Sequence, residues 1–143
     1  MGSRDYSWTG YAVAATIVLA GCASPVERPA STPDSSTKAV TSLVESAHAD
    51  AAAGRLGNAA ASMERAIRLA PRNARLWQEL ARLRLQQGDF AQAEHVALRS
   101  NSLIRGDASL RVENWNIIAQ SREARGDTSG ASSARELAKR IEY

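Results

Sequence analysis

The stretch from Ala74 to Ala93 reads ARLWQELARLRLQQGDFAQA, and its reading decides the fold. Trp77, Leu80 and Ala81 stand at helical spacing, Gly88 interrupts the run, and Phe90 and Ala93 restart it. Apolar residues recurring every three or four positions mark one face of a helix. The stretch therefore predicts a helix over 74–87, a glycine turn, and a second helix over 90–103. Strand signals are nearly absent from the chain. β-Branched residues are scarce after residue 38, and no segment alternates apolar and polar residues over several positions.

The same unit recurs on either side. Gly54 and Gly88 are 34 residues apart, which is the period of one helix-turn-helix repeat. Gly54-Arg55-Leu56 with Ala59 and Ala66 matches Gly88-Asp89-Phe90 with Ala93 and Ser100. It matches again at Gly126-Asp127-Thr128 with Ala131 and Ala138. Trp77, Leu80 and Ala81 return as Trp115, Ile118 and Ala119 after a step of 38, so four residues are inserted near Gly106. Helices are expected over 38–53, 56–69, 74–87, 90–103, 112–124 and 129–141, with a looser stretch over 104–110. Pro71 closes the first repeat because proline cannot continue a helix. The expected fold is all-α: a three-repeat solenoid of six antiparallel helices, with repeats at 40–73, 74–107 and 112–143.

These residues resemble the tetratricopeptide repeat. The second copy carries the motif most fully, in Trp77, Leu80, Ala81, Gly88, Phe90 and Ala93. The first has Leu43 in place of the tryptophan, and the third has Arg135 where a bulky apolar residue is usual. The resemblance implies that small alanines let paired helices approach closely and that Trp77 and Trp115 fill the gap within a pair. Glycine at the turn adopts a backbone conformation that other residues resist. One repeat cannot bury its own apolar face, but about three stacked together can.

Upstream, Leu19-Ala20-Gly21-Cys22 follows the apolar run Ala12 to Ala20, and Cys22 is the only cysteine. This tetrad resembles the lipobox of bacterial lipoproteins. The resemblance implies a signal peptide over 1–21, cleavage before Cys22, diacylglycerol on its thiol and acylation of the new amino terminus. Tyr11 to Gly21 falls well short of the roughly 20 apolar residues that a membrane-spanning helix needs. A single acyl chain binds a bilayer marginally, whereas two or more anchor it stably. Ala23 and Ser24 follow the cysteine instead of Asp, which by the same resemblance favours the outer membrane, facing the periplasm. The mature chain would then have no free thiol for a disulfide or a metal site.

Residues 22–37 comprise the lipidated cysteine and a Pro/Ser-rich tether. Ala23 to Thr37 holds three of the four prolines and almost no bulky apolar side chain. Such a composition buries too little surface to offset its ordering entropy, so a disordered link is expected before a folded domain over 38–143. A flexible link of this length spans roughly 20 Å and reaches about 50 Å at most.

Lys38 to Tyr143 carries 16 basic and 12 acidic side chains. They are interleaved, and no basic run exceeds Lys139-Arg140. A nucleic-acid protein would concentrate the bases on one face, so that class is set aside. His48 and His95 lie on different predicted helices with no acid at metal-ligand spacing. No glycine-rich phosphate loop and no nucleophile-base-acid arrangement is present. Asp89, Asp107 and the Asp127-Thr128-Ser129 run read as helix caps. No enzyme, metal, small-molecule substrate or cofactor beyond the covalent lipid is expected.

Stacked repeats of this family offer a concave face lined by the first helix of each pair. Carried onto this chain, the lining comprises Glu45 and His48, then Arg75, Gln78, Glu79 and Arg82, then Glu113, Asn116, Gln120 and Glu123. Arg75 and Arg82 are seven residues apart, on one helical face two turns apart. Two uses follow: gripping an acidic peptide, or pairing with Glu79 between them. The mixture of acids and bases departs from the carboxylate-clamp subset of the family. Taken as a whole, the architecture resembles the LpoP type of lipoprotein, which implies a role as activator or scaffold of a bifunctional peptidoglycan synthase, a class A penicillin-binding protein. Two other readings stand beside it: a pilotin-like lipoprotein for an outer-membrane secretin, and a self-assembling envelope scaffold.

Cys22→Ser removes the thiol that accepts the lipid, so the product is expected as unprocessed precursor, or as a soluble protein where another peptidase cuts. Mass spectrometry of the mature amino terminus checks this. An unmodified Cys22 in the wild type, or cleavage at another position, would contradict the lipoprotein reading.

Overall fold

A computed structural model describes residues 33–142 of the chain. Cys22, the expected signal peptide and most of the expected tether lie outside the described residues. Six helices follow in order: α1 (Pro33–Ala52), α2 (Leu56–Leu69), α3 (Ala74–Gln86), α4 (Phe90–Leu103), α5 (Ala108–Ala124) and α6 (Thr128–Glu142). No strand occurs among the described residues. The helices pack as antiparallel pairs, α1 with α2, α3 with α4 and α5 with α6, and each pair stacks on the next. The fold is an all-α solenoid of three tetratricopeptide-like repeats.

The turn inside each pair has the same construction. Gly54, Gly88 and Gly126 have φ of +75°, +79° and +82°, a region in which a side chain is strained. At Gly88 the glycine N–H donates to Leu85 O at 3.0 Å, and the following Asp89 N–H donates to Arg84 O at 2.9 Å. Gly54 with Arg55, and Gly126 with Asp127, repeat both bonds. This is a Schellman ending, which satisfies carbonyls that the helix leaves open. The next helix starts at once. Asp89 Oδ1 accepts from Gln92 N–H, and Asp127 Oδ1 accepts from Gly130 N–H at 2.8 Å. The carboxylate of Asp127 is therefore the cap at the third turn, ahead of Thr128 and Ser129.

Small side chains fill the seams between helices. Ala59, Ala66, Ala93, Ala97, Ala131 and Ala134 are completely buried, with Met63 and Ile118 as the largest apolar side chains fully enclosed. Trp77 and Trp115 differ from expectation: both are only partly buried and pack on the edge of this core. Trp77 Nε1 donates to Pro71 O at 2.9 Å, and the Arg99 guanidinium lies 5.7 Å from the ring centre. The tryptophan braces α3 against the preceding loop and the end of α4. Arg135, unusual for the motif, is exposed, and Ala131, Ala134 and Ala138 make the buried contact of α6.

Two boundaries need correction. α1 begins at Pro33, five residues ahead of the expected start, so 33–37 is helix and not tether. Proline is accommodated in a first helical turn, where its missing N–H has no partner to lose. α5 begins at Ala108 and not at 112, leaving only 104–107 as loop. The four inserted residues are therefore an extra turn of α5, which has 17 residues against 13 in α3.

Met63→Ala is expected to cost about 2–5 kcal/mol, because truncation leaves a cavity in a packed seam. Leu98→Ala, at a position 41 % exposed, should stay within about 0.5 kcal/mol. Urea unfolding followed by helical circular dichroism checks the pair. Equal effects would contradict this packing.

Candidate functional site

The first helices α1, α3 and α5 share one face, and their polar side chains are linked across the repeats. His48 Nε2 of α1 lies 3.8 Å from Glu79 Oε2 of α3. Glu79 Oε1 is 3.8 Å from Arg82 Nη1 on its own helix. Arg82 Nη2 in turn binds Glu113 Oε2 of α5. Gln78 Nε2 donates to the same carboxylate oxygen. Five of the ten expected lining residues thus form one chain from α1 to α5.

The other five are distributed differently. Arg75 Nη2 pairs with Asp107 Oδ2 at 3.2 Å, beside the start of α5. Glu123 pairs with Arg135 of α6, within its own repeat. Glu45, Asn116 and Gln120 are exposed. Of the two uses expected for Arg75 and Arg82, pairing with Glu79 is met by Arg82 alone, which also holds Glu113, while Arg75 pairs with Asp107 instead. Gln78 is also corrected: it is 1 % exposed and cannot line an open groove. Its Oε1 has no partner among the described residues.

Between α1 and α3 this face opens into a cleft of about 420 Å³. Ala51 and Leu83 give it an apolar floor above the enclosed Met63, and His48, Glu79, Arg82 and Gln86 surround it. An apolar floor with walls of both charge signs suits an amphipathic peptide segment. It does not suit a highly charged small ligand, because its lining arginine, Arg82, is already paired with Glu79 and Glu113.

Sequence reasoning missed the polar contacts that couple the repeats elsewhere. Arg84 Nη2 of α3 reaches back to Glu64 Oε1 of α2 at 2.6 Å. Its counterpart 38 residues on, Arg122, reaches Glu94 of α4 at 2.8 Å, and Arg125 takes the second oxygen of Glu94 at 2.8 Å. A buried seam joins α3, α4 and α5. Ser100 Oγ donates to Ala74 O at 2.8 Å, and Asn114 Nδ2 donates to Ser100 Oγ at 2.8 Å and to Asn101 Oδ1 at 3.0 Å. Ser100 stands at the repeat position of Ala66, and its hydroxyl was the available signal.

The pattern of the tetratricopeptide-repeat family matches residues 50–108, from the last turn of α1 into α5. The globular C-terminal domain of P. aeruginosa LpoP is 46 % identical, with a TM-score of 0.68, covering 70 % of this chain and 94 % of that one. The tetratricopeptide domain of Arabidopsis OM64 is 20 % identical, with a TM-score of 0.67 and coverage of 75 % and 85 %. The N-terminal domain of stress-induced protein-1 (STI-1) from C. elegans is 17 % identical, with a TM-score of 0.66 and coverage of 76 % and 98 %. The last two share the fold alone. No curated protein sequence matches the chain. The chain belongs to the tetratricopeptide-repeat family, whose fold is a scaffold for protein interaction. Within that family it is of the LpoP type.

Asp107 both caps α5, accepting from Leu110 N–H at 2.9 Å, and binds Arg75. Asp107→Ala should cost about 1–2 kcal/mol through the lost cap. Asp107→Asn keeps an acceptor and loses only an exposed pair, worth about 0–1 kcal/mol. Denaturant unfolding separates them. Equal losses would place the stabilisation in the ion pair instead of the cap.

Proposed function

We propose that this chain is a lipid-anchored, non-enzymatic envelope protein whose α1/α3/α5 face binds and activates a bifunctional peptidoglycan synthase of the class A penicillin-binding-protein type. The observation that carries this reading is the 46 % identity over 94 % of the LpoP domain. The lipobox ending at Cys22 supports an anchor on the periplasmic side of the outer membrane. Among the described residues no helix is long and apolar enough to cross a membrane. The amphipathic cleft between α1 and α3 supplies a place for a partner segment. The functional role of the lining residues Glu45, His48, Glu79, Arg82, Glu113, Asn116 and Gln120 is part of the proposal.

Self-assembly through the ends of the array has less support. The final helix α6 buries Ala131, Ala134 and Ala138 and exposes Ser132, Ser133, Glu136, Lys139 and Arg140, with Leu137 as an exposed apolar side chain among them. It closes the stack with a mostly polar outer surface, as a terminal repeat must for solubility.

Asn116→Arg with Gln120→Arg places two bulky cations on the α5 face, at exposed positions whose side chains make no hydrogen bond among the described residues. Partner affinity should fall by roughly tenfold or more, about 1.4 kcal/mol per tenfold, with helical content kept. Ala91→Arg with His95→Arg, exposed on α4, adds the same bulk to the other layer and should bind as wild type. Titration of the synthase, with its polymerisation rate as a second readout, decides. Loss from the α4 pair alone would move the binding site to the second-helix layer.

A further inference from the structure

The two ends of the solenoid differ in charge. One end holds the glycine turns, where the cations are neutralised within the domain: Arg55 pairs with Asp50 at 2.8 Å, and Arg122 and Arg125 share Glu94. The other end is where α1, α3 and α5 start and α2, α4 and α6 finish. Its loops, 70–73 and 104–107, bring Arg72 and Arg105 to one open hollow of about 520 Å³. Arg72, Arg105, Arg68 and Lys139 are all exposed at this end with no acidic partner among the described residues. The acid in these loops, Asp107, is already taken by Arg75. Leu69, 51 % exposed, stands between Arg68 and Arg72.

This basic end is also where the chain enters the domain. Pro33 opens α1 there, 11 residues after Cys22. At about 3.3–3.6 Å per residue, that link cannot exceed roughly 40 Å. A lipid on Cys22 would therefore hold the start of α1 within roughly 40 Å of the bilayer surface. We propose that this end is a docking surface for an anionic phospholipid leaflet. The arginines meet the phosphate headgroups and Leu69 enters the headgroup boundary. The solenoid then stands with its glycine turns pointing away from the membrane and its α1/α3/α5 face open to the side. The inference rests on the lipid-anchor reading for this orientation, but the basic end can be tested without any acylation.

Charge complementarity sets the size of the effect. Each Lys or Arg near an anionic surface is worth about fivefold in binding at moderate salt, and the attraction fades within a Debye length. The test uses the full chain carrying Cys22→Ser, which cannot be acylated, with vesicles of phosphatidylcholine alone or mixed with phosphatidylglycerol. The leader is common to all variants and contributes equally. Binding by co-sedimentation should rise with phosphatidylglycerol and fall with salt. Arg72→Glu with Arg105→Glu should weaken that increment by about thirty-fold or more. Arg55→Glu with Arg125→Glu, the same charge change at the glycine-turn end, should leave it within about twofold.

Equal losses from both pairs would reduce the effect to net charge and overturn the proposal, as would binding indifferent to phosphatidylglycerol. Binding to poly-glutamate lost only in the Arg72/Arg105 variant, with no vesicle binding, would assign the end to an acidic protein and overturn it too. Failure of the anchor reading is visible separately, in the mass of the mature amino terminus.

Discussion

The close approach of helices at small residues is the constraint from which the rest follows. Ala59, Ala66, Ala93, Ala97, Ala131 and Ala134 are fully buried where neighbouring helices meet. An alanine seam tolerates no added bulk, so the helices must hold their length and register. Three identical Schellman turns at Gly54, Gly88 and Gly126 provide that register. The insertion in α5 obeys the same rule. Four residues are close to the 3.6 of one helical turn, so Ile118 and Ala119 return to the face that Leu80 and Ala81 occupy in α3. An insertion of two residues would have turned that face towards solvent.

Tight seams displace long side chains to the edges, and there they serve two purposes. At the glycine-turn end and between layers, arginines reach back to acids of the preceding repeat, as Arg84 does to Glu64 and Arg122 to Glu94. On the first-helix face the chain His48, Glu79, Arg82, Glu113 ties three helices together while leaving a cleft floored by Ala51 and Leu83. The face is therefore ordered before any partner arrives, which lowers the entropy lost on binding. At the opposite end Arg72 and Arg105, the cations of the two inter-repeat loops, have no acidic partner among the described residues.

Much of this was legible in the sequence because glycine and proline punctuate it. The bounds of α2 and α4 follow directly from Gly54, Pro71 and Gly88. The start of α1 did not, because Pro33-Asp34-Ser35-Ser36 has the composition of a tether although each residue is acceptable in a first turn. The start of α5 was hidden by Gly106, yet Asp107 is an ordinary cap and marked it. Repeat register placed Glu79, Arg82 and Glu113 on one face. It could not show that Gln78 is buried or that Arg82 is held by Glu113, because those contacts depend on how one repeat is offset from the next.

The most direct test of the account is hydrogen–deuterium exchange of the chain with and without the proposed synthase partner. The account predicts that protection gained on binding concentrates in α1, α3 and α5, around His48, Arg82 and Asn116, while α2, α4 and α6 exchange as before. Protection confined to α2, α4 and α6 would contradict it.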